Sequence, residues 1–253
     1  GCKTSHVDDG CPVKIERHSP SSLNLFCASP SMFVLERILG RRQPVGSPAH
    51  RGTAVEDGVT AGLMEPDKPV DDCAAVAFKK YDHITALSGD KRREEYRETI
   101  PGMVKSALEE LRPYGVPSHC QGFIEWRPEG LKCPIVGYYD YHWQQHNITT
   151  DLKTTEKLPS SVKIPHARQV ALYVTTNNAD ARATYVTPKK RATYQIENID
   201  AHRQALHQIA LRCEAFLALS DDPAFFTSIT APDFESFYWG GPARQIGFET
   251  WGF

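Results

Sequence analysis

Two aspartates and one lysine in the middle of the chain have a spacing that could support metal-dependent chemistry. Asp151 and Lys153 are two residues apart, so a β-strand would place both side chains on the same face. If residues 144–147 form the turn of a hairpin, antiparallel pairing sets Asp140 opposite Asp151, with their Cβ atoms about 5 Å apart. Two like charges this close are destabilising unless a cation lies between them, so the spacing predicts a metal site.

Carboxylate oxygens with open water positions suit Mg²⁺ or Mn²⁺. Such an ion polarises a phosphoryl oxygen and activates water, while Lys153 would orient the nucleophile or neutralise charge in the transition state. This is the chemistry of phosphodiester hydrolysis. The alternative for an isolated D-x-K pattern is a solvated strand face with a weak ion pair, and the opposed Asp140 is the feature that favours the metal site.

The sequence around these residues changes character near residue 117, from helical to strand-like. Capping residues, apolar spacing and β-branched runs identify the individual elements. The predicted helices cover residues 21–26, 29–39, 52–64, 72–87, 92–112, 161–176 and 200–219, and the predicted strands cover residues 121–127, 134–143, 147–155, 183–187 and 192–196. We expect Pro101 to interrupt the helix in which it lies. This order predicts an α/β or α+β fold with a mixed central β-sheet flanked by helices.

The predicted domain organisation is one folded domain preceded by an arm. Residues 1–18 are polar and lack periodicity, which predicts a flexible N-terminal arm. Residues 19–253 are predicted to form a single domain, with a helical part at 19–116 and a catalytic α/β core at 117–219. Residues 220–253 are aromatic and rich in glycine and proline, so we expect an irregular tail packed on the domain.

Composition and charge narrow the functional classes. The 253 residues are 40% hydrophobic and 24% charged, as in ordinary globular domains. A formal net charge of -2 excludes a protein that coats nucleic acid by bulk electrostatics, but leaves room for a local basic groove. Lys189, Lys190 and Arg191 form a short basic run that predicts either a solvated turn or an edge that contacts DNA phosphates.

Cysteine, histidine and hydropathy patterns exclude further classes. The seven cysteines include no C-x-x-C pair, which argues against a disulfide framework or a zinc ribbon and favours reduced thiols. His142 and His146 lack the glutamate of a zinc-protease motif, and no P-loop indicates a nucleotide-driven motor. We see neither a membrane-spanning run nor a signal peptide, so we expect no membrane partner and a cytoplasmic location, in the host cell if the gene is phage-borne.

Five motifs in order resemble the RecB-like branch of the PD-(D/E)XK nuclease superfamily, in particular its phage-type exonucleases. They lie between about Ser19 and Tyr173, and they are weak singly but specific in combination. The first segment, SPSSLNLFCASPSMFVLERILG, is similar to the opening S-x-S-x-L-x-x-F-x-x-C/S-P helices of the family, and GTAVEDG is similar to its G-x-x-x-H/E helix. The strand segments GYYD and DLK are similar to the family's G-x-x-D and D/E-x-K motifs. The last segment, QVALY, is similar to Q-x-x-x-Y.

The resemblance implies roles for individual residues. Glu56, Asp140 and Asp151 would bind the metal, with the backbone carbonyl of Leu152 as a further ligand. Lys153 would be the catalytic lysine. Without the family, Glu56 would be interpreted as a surface glutamate on an amphipathic helix.

Gln169 and Tyr173 are four residues apart, so a helix would present both on one face. The resemblance implies that they contact DNA or support the metal ligands, and it adds Lys189, Lys190 and Arg191 as candidate DNA contacts. The alternative for the first pair is a core tyrosine and a solvated glutamine.

The implied cofactor is Mg²⁺ or Mn²⁺, with two ions expected, and Glu56 at a position that is more often histidine favours these hard ions. Relatives with an iron–sulfur cluster have three cysteines after the Q-x-x-x-Y motif, whereas only Cys213 follows Tyr173 here, so we expect no cluster. The implied function is a DNA exonuclease that acts on ends in phage-type recombination, repair or DNA degradation, as a homo-oligomer or with a recombination protein. The alternatives are an endonuclease with the same site and a catalytically silent member that binds DNA or a protein.

Overall fold

The chain forms ten α-helices and one five-stranded sheet within residues 15–253, the part that this computed structural model describes. The helices are α1 (Pro20–Ala28), α2 (Pro30–Phe33), α3 (Ser47–Met64), α4 (Val70–Ile84), α5 (Arg93–Glu98), α6 (Ile100–Leu111), α7 (Ile164–Tyr173), α8 (Ile199–Leu217), α9 (Pro223–Ile229) and α10 (Pro242–Trp251), and α2 continues into a π-helical turn at Val34–Ile38. The strands are β1 (His119–Trp126), β2 (Ile135–Trp143), β3 (Ile148–Thr154), β4 (Asp180–Val186) and β5 (Arg191–Gln195). The predicted α/β fold with a helical first half is confirmed.

The strands are ordered β1-β2-β3-β4-β5 across the sheet. β2 and β3 are antiparallel, β3 and β4 are parallel, and β4 and β5 are antiparallel, so the sheet is mixed as predicted. The helix α7 connects the two parallel strands, a connection that a hairpin turn cannot make. β2 and β3, which carry the predicted catalytic aspartates, are therefore interior strands.

Prolines lie in the first turns of two helices whose starting residues differ from those predicted from the sequence. α3 begins at Ser47 rather than near Gly52, and Pro48 lies in its first turn, where a missing N–H costs no intrahelical bond. The helix predicted at 92–112 is divided at Thr99, and Pro101 lies in the first turn of α6. The predicted interruption by Pro101 is thus confirmed.

The chain divides into two compact units, which we call the sheet unit and the terminal unit. The sheet unit comprises Pro44–Trp126 and Val136–Ala205. In it, α3 packs against α4 and α6 around a buried apolar cluster that extends to Tyr141 and Trp143 of β2. Gly58 permits the close approach of α3 to α4, because a Cβ there would lie 2.6 Å from the carbonyl oxygen of Cys73.

The terminal unit comprises the described part of Gly1–Gln43 together with Arg127–Ile135 and Leu206–Phe253. Met32 and Leu35 pack there against Trp239 and Ala243, which lie more than 200 residues later in the sequence. The first and last parts of the described chain therefore share one apolar cluster. The expectation of a single domain over 19–253 stays a prediction.

The expectation of an irregular tail at 220–253 is wrong, because α9 and α10 form there. Asp222 caps α9 by accepting a hydrogen bond from the backbone N–H of Ala224. Pro223 and Pro242 lie in the first turns of α9 and α10. The prolines that we interpreted as a sign of irregular structure therefore lie where helices begin.

Glu214 joins three segments of the terminal unit that are distant in sequence. Its carboxylate accepts hydrogen bonds from the backbone N–H groups of Lys132 and Cys133, each at 2.9 Å, and from Nε2 of His18 at 3.1 Å. His18, the last residue of the predicted arm, is buried, and its backbone N–H donates to the carbonyl of Pro134. Residues 1–14 of that arm lie outside the described residues.

The sequence argued against a disulfide framework and against a membrane-spanning segment, and the described residues bear on both points. The five cysteines of residues 15–253 are all free, as expected for reduced thiols, although Cys27 is exposed. Among the described helices, none is both long and apolar enough to cross a membrane.

Candidate active site

The predicted metal ligands lie on three neighbouring elements of the sheet unit. β2 carries Asp140, β3 carries Asp151 and Lys153, and α3 carries Glu56. The strands β2 and β3 are joined by a short 3-10 turn over Gln144–His146, followed by Asn147 in the left-handed conformation. The predicted hairpin turn at 144–147 is confirmed.

The register of this hairpin brings the two aspartates together. Tyr141 pairs with Thr150, and one further step in the same register sets Asp140 opposite Asp151, as predicted. Asp140 is buried, and its Oδ2 accepts a hydrogen bond of 2.6 Å from the backbone N–H of Leu152. This hydrogen bond fixes the backbone at Leu152, whose carbonyl is the predicted backbone ligand of the metal.

Lys153 forms an ion pair with the aspartate two residues before it. Its Nζ lies 2.6 Å from Oδ2 of Asp151, whose side chain is almost fully buried. Burial alone would lower the pKa of Lys153, but the negative charges of Asp151 and Asp140 raise it above the ordinary value. The neighbouring carboxylates therefore favour the charged form of Lys153.

Glu56 is placed beside the aspartates by a tyrosine on β2. The hydroxyl of the buried Tyr141 donates to the backbone carbonyl of Glu56 at 3.2 Å, and it lies 3.0 Å from Oγ1 of Thr60, one turn later in α3. The Glu56 side chain is half-buried, and its interaction with the Asp140 carboxyl lowers its pKa against the larger, opposite effect of burial. Oε1 of Glu56 is buried and accepts no hydrogen bond from the described residues.

The three carboxyl groups disfavour one another's charge. Burial raises the pKa of Asp140 well above its ordinary value, and the charges of Asp151 and Glu56 raise it further. Burial likewise raises the pKa of Glu56, with Asp151 adding to the effect. Burial also raises the pKa of Asp151, although Lys153 opposes the shift. One lysine does not balance the two buried aspartates and the half-buried Glu56.

This donor set fits a hard divalent cation. The oxygens are carboxylates on three neighbouring elements, and Oε1 of Glu56 is a buried acceptor with no hydrogen-bond donor among the described residues. Oxygen donors of this kind suit Mg²⁺ or Mn²⁺ better than softer ions. A bound divalent cation would also remove the repulsion that raises the carboxyl pKa values.

Gln169 and Tyr173 lie on α7 and face the same centre. Nε2 of Gln169 donates a hydrogen bond of 2.6 Å to the Tyr173 hydroxyl. Burial raises the pKa of Tyr173, and the negative charge of Asp151 raises it further. The ring packs on Gly137 of β2, where a Cβ would lie 2.7 Å from it. The structure thus brings this predicted pair to the carboxylate cluster.

The basic run at 189–191 is placed differently. Lys189 and Lys190 are exposed in the turn between β4 and β5, which Thr187 closes by accepting hydrogen bonds from both backbone N–H groups. Arg191 forms ion pairs with Glu109 and Glu110 of α6. A contact between Arg191 and DNA stays a prediction, and such a contact would have to compete with these two ion pairs.

Two positions in the centre were missed from the sequence. Tyr141 directly follows Asp140, and its hydroxyl orients α3, but a tyrosine in a strand carries no signal that separates this role from ordinary packing. Gly137 belongs to the GYYD segment, and its lack of a side chain makes room for Tyr173. Its motif position was the only available signal.

Comparisons with known proteins agree with this geometry. A model of the PD-(D/E)XK nuclease superfamily matches residues 17–233. A crystal structure from Eubacterium rectale, provisionally named an exonuclease, shares the fold with a TM-score of 0.54 and 14% identity, over 80% of this chain and 80% of that chain. The protein SSO0001 aligns with a TM-score of 0.35 and 15% identity, over 78% of this chain and 88% of its own, a similarity too low to carry an argument.

No curated protein is similar enough in sequence to count as a relative. The family model, however, covers most of the 253 residues and includes every element that contributes to the carboxylate cluster. The chain therefore belongs to the PD-(D/E)XK nuclease superfamily.

Proposed function

We propose that this chain is a DNA exonuclease that depends on Mg²⁺ or Mn²⁺. The observation that carries the proposal is the cluster of Glu56, Asp140 and Asp151 beside the cationic Lys153 in a member of this superfamily. Two buried aspartates and a half-buried glutamate with one balancing lysine are unfavourable in a purely structural site. The same arrangement is suited to holding a cation against a phosphate.

In the proposed reaction, Glu56, Asp140 and Asp151 would hold the two expected divalent cations, with the Leu152 carbonyl as a further ligand. A bound cation supplies charge neutralisation at the phosphate and lowers the pKa of water. Lys153 donates a hydrogen bond to the attacking water or to a phosphate oxygen and stabilises the negative charge that develops in the transition state. Gln169 and Tyr173 contact the DNA or support the metal ligands.

Action at DNA ends is the finer part of the proposal. It is supported by the resemblance of the five motifs to phage-type exonucleases and by the provisional name of the Eubacterium rectale structure. A role in recombination, repair or DNA degradation follows from the same resemblance. Contacts with DNA are expected to be mainly to phosphates, so that cleavage depends little on base sequence.

The test compares covalently closed circular, nicked circular and linear duplex DNA at equal nucleotide concentration, in Mg²⁺, Mn²⁺ and EDTA. We expect degradation of linear DNA with either metal, no degradation in EDTA, and an intact closed circle. The folded Asp151→Asn variant is the control for contaminating nuclease. Rapid linearisation of the closed circle would establish an endonuclease, and no hydrolysis of any DNA would indicate a catalytically silent member.

A further inference from the structure

An aromatic pair lies exposed on the sheet unit, next to the carboxylate cluster. Phe123 of β1 is 51% exposed and Tyr138 of β2 is 52% exposed. Their ring centroids are 5.3 Å apart and their planes are tilted by 55°. Rings in this tilted arrangement do not cover each other's faces, so the pair keeps aromatic surface open to solvent.

The pair is continuous with the centre through β2. Tyr138 precedes Asp140 by two residues, which corresponds to about 7 Å along an extended strand. A nucleic acid strand with its scissile phosphate at Asp140 would place a neighbouring nucleotide within reach of the two rings. Among the large hydrophobic side chains exposed on the sheet unit, Phe123 and Tyr138 are the aromatic ones.

The backbone behind the pair is held in place. The buried Tyr139 ring occupies the space in front of Gly122, where an added Cβ would collide with it. Gly122 and Tyr139 are the chain neighbours of Phe123 and Tyr138, so this contact fixes β1 against β2 at the pair. The rings are therefore presented from a rigid sheet rather than from a loop.

We propose that Phe123 and Tyr138 form a stacking site for an unpaired nucleobase next to the scissile phosphate. This inference rests on the proposed nuclease function and deepens it. Aromatic stacking accepts any base, because every base has a π-face, and it therefore suits a site that contacts phosphates without reading sequence. An unpaired base at the site implies that the strand is separated from its complement where it enters the centre.

The test measures binding without cleavage. The probe is a fluorescein-labelled oligothymidylate in EDTA, with the dissociation constant obtained from fluorescence anisotropy. We expect the double variant Phe123→Ala/Tyr138→Ala to bind at least about tenfold more weakly, because stacking on an aromatic ring commonly contributes that much per base. Tyr138→Phe should bind like the parent protein, since it keeps the ring.

The terminal unit offers a matched control. Phe237 is 94% exposed and contacts the ring of Tyr238, with centroids 5.9 Å apart. Phe237→Ala/Tyr238→Ala removes a comparable exposed aromatic pair that belongs to the terminal unit and not to the strands carrying the carboxylates, and it should leave oligothymidylate binding unchanged. Equal weakening in both double variants would show non-specific hydrophobic binding and overturn the proposal.

A spectroscopic signature separates stacking from other effects of the variants. Oligonucleotides that carry 2-aminopurine at successive positions should show quenching at one position in the parent protein, and this quenching should be lost in Phe123→Ala/Tyr138→Ala. No position-specific quenching, or reduced self-association of the double variant with unchanged oligonucleotide binding, would overturn the stacking site. If the parent binds and quenches but hydrolyses no DNA with Mg²⁺ or Mn²⁺, the nuclease function fails while the stacking site stands.

Discussion

Asp140 affects the stability of the folded protein in two opposite ways. Its Oδ2 fixes the Leu152 peptide, which stabilises the hairpin, while its charge is buried beside those of Glu56 and Asp151. A carboxyl whose pKa is raised in the folded protein holds its proton longer than the unfolded chain does. In the metal-free protein, the contribution of Asp140 to stability therefore decreases as pH rises from the ordinary aspartate pKa of about 4 through the raised value.

We expect Asp140→Asn to be more stable than the parent in EDTA at neutral pH. The amide keeps a hydrogen-bond acceptor for the Leu152 N–H and removes the repelled charge, so the difference should grow between acidic and neutral pH. Urea unfolding at several pH values measures it, with Asp67→Asn on the exposed surface as control. Equal stabilisation of parent and Asp140→Asn by Mg²⁺ would show that Asp140 is not a ligand.

Lys153→Ala should lower the rate of the chemical step by at least about a hundredfold, since a positioned cation acts mainly on transition-state charge. Metal binding should survive, because the carboxylates remain. Single-turnover cleavage of linear DNA at saturating metal measures the effect, with exposed Lys79→Ala of α4 as the charge-matched control. A near-parental rate for the lysine variant would end its catalytic assignment.

At the scale of elements, the centre depends on how α3 is seated on the sheet. Gly52 brings α3 close to β3, since a Cβ there would lie 3.3 Å from Oγ1 of Thr154. The Tyr141 hydroxyl then fixes the rotation of α3 through Thr60 and the Glu56 carbonyl. The position of Glu56 is therefore a property of helix packing more than of its own side chain.

We expect Tyr141→Phe to weaken metal binding several-fold while costing about 1 kcal/mol of stability, the usual value of a buried hydrogen bond. The matched control is Tyr81→Phe, which removes another buried hydroxyl, bonded to the carbonyl of Arg93. Titration calorimetry with Mn²⁺ and thermal unfolding separate the two effects. A similar loss of metal affinity in both variants would mean that Tyr141 acts only through general stability.

At the scale of the whole molecule, contacts between distant segments define the terminal unit. Glu214 on α8 binds the backbone at 132–133 and the side chain of His18. Burial raises the pKa of Glu214, but the backbone hydrogen bonds and His18 outweigh it, so the net pKa is lowered. A carboxyl group whose pKa is lowered by folding stabilises the protein at pH values above its unfolded-state pKa. This stabilisation is lost as pH falls through the lowered pKa of the folded protein.

Glu214→Gln should therefore be destabilised most at neutral pH, by roughly 1 to 3 kcal/mol, as expected for hydrogen bonds to a charged group. The difference from the parent should shrink in acid. Hydrogen exchange of the Lys132 and Cys133 amides reports the loss locally, and urea unfolding reports it globally. Glu235→Gln, which affects only an exposed pair with Arg244, is the control, and an equal effect of both variants would contradict the anchoring role.

The sequence by itself predicted the fold class, the five strands and the hairpin that opposes Asp140 and Asp151. These features depend on local physics: strand alternation, turn geometry and capping act over a few residues. The same local signals misled at 220–253, where Pro223 and Pro242 start helices instead of ending them. A proline constrains its own backbone but does not by itself say on which side the helix lies.

Only the tertiary structure decided which of the candidate side chains meet. Glu56 lies beside the strand that carries Asp140 because Tyr141 and small residues seat α3 on the sheet. Arg191 is bound by Glu109 and Glu110 because α6 lies beside β5. Such contacts join residues about 80 positions apart, and they depend on packing volumes and burial that no local pattern encodes. The raised carboxyl pKa values have the same origin, because desolvation exists only once the chain has folded around the charges.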